Sequence, residues 1–135
     1  MANLAGFLKP AYTEKTIEVV VSDRFLDENG DPIPFKIKSL PQSKMKMIAK
    51  RSLKTGSKNS NEIDSTQFIA RCIVEACVQP DFKDRELCLA YESEDPIEVP
   101  EKMLLASEYE KLARAFLDLN GIEEGGLDIT GVSKN

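Results

Sequence analysis

The stretch 64–82, DSTQFIARCIVEACVQPDF, is the long segment whose apolar residues can reach packing partners on more than one side. Wound as a helix, it sets Phe68, Ile69, Cys72, Ile73, Ala76 and Cys77 at i, i+3, i+4 spacing, and Ala70, Val74 and Val78 widen the stripe. A helix this apolar belongs at the centre of a fold. Asp64 stands at the N-cap with Gln67 three residues on, the pattern of a capping box. Pro80 cannot continue the helix and pushes Gln79 out of it, so the expected helix spans about 64–79. Burying about six such side chains at roughly 1.5–3 kcal/mol each contributes on the order of 10 kcal/mol, comparable with the net stability of a small domain. The segment is therefore read as core, not as chemistry.

On its N-terminal side lies a basic amphipathic helix, expected over about 41–54 and opened by Pro41, with Met45, Ile48, Ala49 and Leu53 on one side and lysines on the other. A polar linker, TGSKNSN at 55–61, joins the two helices. Further back, TIEVVVSDRF at 16–25 is rich in β-branched residues, Ile17, Val19 and Val21 alternating with Glu18, Val20 and Ser22. LDENGDP follows as a turn, and IPFKIKSL alternates again, so 16–39 reads as a β-hairpin with Asn29 and Gly30 at its tip. A lone hairpin is marginal in water and must lay its apolar face on the helices or another strand. Beyond Pro80, a short helix is expected at 84–92, a loop at 94–100 and a helical turn at 101–105. A last helix is expected at 107–120, capped by Ser107 with Glu110 and closed at Gly121 by Ile122 folding back on Leu117. Residues 1–15 are expected to be a flexible arm and 123–135 a disordered tail, flanking one domain over 16–122. The fold class is α+β, a hairpin packed on about four helices.

A chain of 135 residues, 41% hydrophobic and 30% charged, has the length for one real core and an ordinary soluble composition. The N-terminus lacks the basic patch and apolar run of a signal peptide, and no run of 18 apolar residues occurs, so the expectation is a cytoplasmic protein without a membrane partner. The net charge of −5 hides an asymmetry. Between 35 and 60 there are eight basic residues (Lys36, Lys38, Lys44, Lys46, Lys50, Arg51, Lys54 and Lys58) and no acid. Between 91 and 110 there are seven acids against Lys102 alone. Such a split either keeps two faces solvated or docks one face to a charged partner, which includes another copy of the chain.

Catalytic signatures are missing. The sequence has no histidine, which removes the commonest general base and metal ligand, and no phosphate-binding glycine loop or nucleophile elbow. Cys72, Cys77 and Cys88 are odd in number and lack CxxC spacing, so they read as reduced core thiols and neither a zinc site nor a disulfide framework. Asp27, Asn29 and Asp31 match the first ligand spacings of a calcium loop, but Pro32 stands where the loop needs glycine and Lys38 where it needs glutamate. No enzyme, cofactor or metal is expected. Nucleic acid fits poorly too, because no aromatic residues interleave with the basic cluster and the whole chain is acidic. Binding or assembly remains, with a small nucleic-acid-binding or regulatory protein using 36–58 as the alternative.

The run EVVVSDRFLDENGDPIPFKIKSL, the helix closing on Pro80 and Asp81, and MLLASEYEKLARAFLDLNG near the end resemble the XkdN-like phage tail assembly chaperones of phages and prophage-like elements of Gram-positive bacteria. The similarity runs in order from about Phe7 to Ile122, and its motifs are turn and core positions. It implies a small α+β protein, active in the host cytoplasm, that binds the long helical tape measure protein, keeps it soluble, and is absent from the mature virion. A client surface should offer apolar contacts rimmed by charge. The candidate partner-binding residues are Met45, Lys46, Ile48, Ala49, Lys50, Leu53 and Lys54, with any uncovered part of the 68–78 stripe as the other candidate. Self-association through the opposite charge patches is the further expectation.

Overall fold

The computed structural model describes residues 4–8, 14–54 and 62–122. Two short strands, β1 (Thr16–Val19) and β2 (Phe35–Lys38), pair antiparallel with Ile17 opposite Ile37 and Val19 opposite Phe35. Those four residues share one sheet face, on which Phe35 and Ile37 are buried. The other face carries Glu18 and Lys36, paired at 3.7 Å. The connection between the strands is longer than a tight hairpin. A bridge between Leu26 and Pro32 closes a turn in which the Asp27 carboxylate accepts from the N–H groups of Asn29 and Asp31, and Gly30 takes φ +82°. The Asp27, Asn29 and Asp31 spacing is thus part of a turn, with Asp27 committed to backbone donors.

The 64–79 helix is shorter than its sequence period implies. It starts as expected, Asp64 accepting from the Gln67 N–H at 3.2 Å, although the reciprocal half of the capping box is missing because the Gln67 side chain turns to Arg71. Helix α3 (Ser65–Ala76) then stops three residues early, and Cys77–Gln79 becomes β3, a third strand antiparallel to β2. The physical reason is competition at 77–79. Val78 and the residue before a proline both favour extended backbone, and β2 would otherwise leave one edge unpaired. The Gln79 amide fixes the new strand by donating to the Pro34 carbonyl at 2.8 Å. Side chains that a helix would put on one stripe now alternate, so Cys77 is buried and Val78 is 51% exposed.

Helix α2 (Gln42–Arg51) packs on α3, and so does the C-terminal helix α6 (Ala106–Leu119). Between them come α4 (Arg85–Ala90), capped by the Asp84 carboxylate, and α5 (Glu98–Met103). Helix α5 begins inside the stretch expected to be a loop. Pro100 sits in its first turn, where a missing N–H costs nothing, and is buried beside Val99. The core runs continuously through Phe35, Ile37, Ile69, Ile73, Leu112 and Phe116, with Phe82 set 6.4 Å from the Phe35 ring. Cys72 and Cys77 lie in it as free thiols.

The cap of helix α6 also sits two positions earlier than the expected cap at Ser107. Leu105 is the N-cap, and Glu108, not Glu110, reaches back to the Leu105 N–H at 2.9 Å. Glu108 is held there by Arg24, whose Nε donates to Oε2 at 3.1 Å and whose second nitrogen reaches Oε1 and the Met103 carbonyl. The helix closes as expected, with Gly121 at φ +68° and the Ile122 N–H donating to the Leu117 carbonyl at 2.8 Å. The architecture is α+β, a three-stranded antiparallel sheet with six helices among the described residues. One of them is α1 (Leu4–Leu8), a single turn in the expected arm with Leu4, Phe7 and Leu8 exposed. The linker 55–61 and the tail 123–135 lie outside the described residues.

Candidate functional site

Sequence reasoning left two candidate surfaces, and the packing separates them. The 68–78 stripe is mostly consumed by the core: Ile69, Ala70, Cys72, Ile73, Val74 and Ala76 are buried, Phe68 is half-buried, and Val78 is left 51% exposed. The surface that remains is the outer side of α2. Of its candidate residues, Ile48 is buried at 4% exposure, Met45 is half-buried against the core, and Ala49 is half-buried. Lys46 and Lys50 project outward, joined by Met47 at 48% exposure. The helix ends at Arg51, three residues before its expected limit, so Leu53 and Lys54 are not on it. Ser52 caps it, its hydroxyl donating to the Ile48 carbonyl at 2.7 Å, and Leu53 then forms a bridge with Ile63. Polar groups of this bridge are shared with the start of α3, since the Asp64 N–H donates to the Ser52 carbonyl. Leu53 and Ile63 stay partly exposed as an apolar end to the basic face.

Not every cation of the 36–58 cluster is available. Lys36 and Lys38 pair with Glu18 and Glu14, Lys44 with Glu75, and Lys54 with Glu62. Lys46, Lys50 and Arg51 make no ion pair among the described residues, and Lys58 falls outside them. The acidic half is partly used in the same way. Glu98 pairs with Lys102, Glu110 with Arg114, and Glu108 with Arg24.

Beside the α2 face is a pit of about 130 Å³ that the sequence did not disclose. Ile48, Val74 and Ile97 line it with Arg51, Arg71 and Lys83. Its acids are Glu75 and Asp95. Burial works to raise the Glu75 pKa, but Lys83 at 3.3 Å and Lys44 at 3.6 Å outweigh it and hold the carboxylate below its ordinary value. Asp95 spends one oxygen on the Ile97 N–H. Among the described residues Arg71 finds only the Gln67 amide oxygen, at 3.3 and 3.4 Å. The signal for Arg71 in the sequence is a lone cation inside an apolar helix. What it faces depends on where the 94–97 loop packs, which periodicity does not reveal.

A second, more open cleft of about 340 Å³ lies between Pro80 and the face of α4 bearing Leu87 and Ala90. Two of its acids, Asp81 and Asp84, accept backbone N–H groups of the Lys83 and Glu86 turns. Neither hollow pairs a nucleophile with a base. The buried thiols are pushed away from reactivity, since burial raises both Cys72 and Cys77 to about 12. Among the described residues no group of three acidic or cysteine side chains could hold a metal ion, and no helix is long and apolar enough to cross a membrane. What the surface offers is an exposed basic face and an apolar pit with cationic walls.

Residues 4–130 match the family described as phage XkdN-like tail assembly chaperone protein. The YqbN protein of Bacillus subtilis strain 168 is 32% identical, the alignment covering 96% of this chain and 92% of that one. The XkdN protein of the phage-like element PBSX from the same strain is 30% identical, over 96% of this chain and 93% of XkdN. The crystal structure of YqbN superposes with a TM-score of 0.79, covering 91% of this chain and 99% of that one. With a family match along nearly the whole chain and two relatives at this identity, the protein belongs to the XkdN-like phage tail assembly chaperones.

Proposed function

We propose that the protein binds the tape measure protein of its own phage or prophage-like element in the host cytoplasm and keeps it soluble while the tail is built. It acts without catalysis and leaves before the virion is complete. The observation that carries this reading is the family match over residues 4–130, since a tail assembly chaperone requires a tail-protein client. The tape measure protein is the tail component whose length and apolar helical surface create the need. The exposed side of α2, with Lys46, Met47 and Lys50, and the adjoining Leu53, Lys54 and Ile63, supports the reading as a surface of apolar contacts rimmed by cations. Met45 and Ile48 contribute by fixing α2 on the core rather than by touching the client.

Co-expression with the tape measure protein of the same genome is the test. The expected result is a soluble client that co-purifies with this chain and precipitates without it. Lys46→Glu with Lys50→Glu should reduce recovery of the complex while leaving the chaperone folded. A client that is equally soluble with and without the chaperone would refute the reading.

A further inference from the structure

We propose that the pit between α2, α3 and the 94–97 loop is the anchor point for an acidic client segment. One apolar client side chain enters between Ile48, Val74 and Ile97, and carboxylates beside it pair with Arg51 and Arg71. This rests on the proposed client-binding function and assigns it a place and a chemistry.

Three features of the molecule carry the assignment. The first is shape: about 130 Å³ is close to the cavity size that holds a benzene-sized group, enough for one Leu or Met side chain. The second is charge. Among the described residues around the pit, Arg51, Arg71, Lys83 and the nearby Lys44 face only Glu75 and Asp95. Glu75 is already paired with Lys83 and Lys44, so it does not neutralise the two guanidiniums. The third is unmet hydrogen-bonding capacity: among the described residues, Arg71 is held only by long contacts to a neutral amide and Arg51 has no ion pair. A guanidinium offers a rigid fork of donors that suits a carboxylate. Desolvation by a docked apolar residue strengthens such a pair relative to one in open water. A nucleic acid fits this hollow poorly, for its walls present no aromatic ring for a base to stack on.

The experiment uses the full chain and fluorescein-labelled peptides tiled across the tape measure protein of the same genome, read by fluorescence polarisation. Peptides with an apolar residue beside two or more carboxylates should bind, and affinity should fall at least fivefold between about 50 mM and about 500 mM salt as the ion pairs are screened. Arg51→Glu with Arg71→Glu should weaken binding at least tenfold. Lys111→Glu, a charge reversal on the exposed side of α6, should change it less than twofold. Because a double reversal can disturb folding, Arg71→Met is measured as well and should lose at least threefold while keeping the wild-type thermal midpoint. Full affinity in both pit variants overturns the assignment and leaves the client-binding reading intact. So do bound peptides that lack acids, or tighter binding of a labelled single-stranded oligonucleotide than of any peptide. If no peptide and no intact client binds the wild-type chain, the functional reading itself fails.

Discussion

Replacing Val78 with lysine separates the strand found at 77–79 from the helical continuation that the apolar period implies. On a helix, Val78 would extend the buried stripe, and a lysine there would cost several kcal/mol for a charge forced into the core. As part of β3 the residue is 51% exposed. Full burial of a valine is worth roughly 1.5 kcal/mol at the low end, so losing the covered half removes about 0.7 kcal/mol, partly restored by the lysine stem lying along the sheet. The expected cost is therefore below about 1 kcal/mol. Ile37, which pairs with Cys77 across the ladder and is 1% exposed, supplies the contrast. Ile37→Ala deletes buried methyl groups and leaves a cavity, at a cost of about 2–5 kcal/mol. In urea, with a slope near 1.5 kcal/mol per molar for a chain of this size, Ile37→Ala should lower the midpoint by about 1–3 M and Val78→Lys by less than about 0.7 M. Both are followed by circular dichroism under reducing conditions. A Val78→Lys midpoint as low as that of Ile37→Ala would mean that the helix continues through 78.

Further outcomes follow from other parts of the molecule. The Arg24 hydrogen bonds, helped by Ser22 and the Leu105 N–H, hold the Glu108 carboxyl down to about 2, below its unfolded value near 4.3. Its stabilising contribution is present above pH 4.3 and lost as pH falls towards 2, so Glu108→Gln should unfold earlier than wild type at pH 7. That gap should close over the acidic window in pH-dependent thermal melts. Burial raises Cys72 and Cys77 to about 12, so a disulfide-exchange reagent at pH 8 should label native protein first at half-buried Cys88, and the other two only on unfolding, as read by peptide mass mapping. Gly121 at φ +68° ends α6 in the left-handed region, where an alanine pays about 1–2 kcal/mol. Gly121→Ala should lower the thermal midpoint by several degrees, and Gly121→Asn by less.

The parts of the fold legible in the sequence were those fixed by local chemistry. Asp64 at the start of α3, Asp84 before α4, Gly121 after α6 and the Asp27–Gly30 turn act through backbone groups a few residues away, and each appears where its residue type implies. What escaped the sequence was decided by distant partners. Cys77–Gln79 left the helix because β2 offered a strand edge, although the 3.6-residue period runs on through Val78. Glu108 took the capping role from Glu110 because Arg24, 84 residues away, binds it. For the same reason the candidate surface was only half readable. The lysines of α2 announced a basic face, but Ile48 turned inward and Leu53 fell beyond the helix end. The pit needed Arg71 and Ile97 brought together from α3 and a loop, a juxtaposition that no sequence spacing encodes.

The sheet's outer strands bear on what the protein can pair with. Strand β1 has four residues and is preceded by the charged pair Glu14 and Lys15, while β3 has three, with a register irregularity opposite Lys36 and Ile37 and Pro80 directly after. Short length, charge, irregular pairing and proline each discourage a foreign strand from adding to an open edge. Both outer strands are thereby poor templates for strand addition, so partners are steered to the side chains of the helices and away from the backbone edges of the sheet.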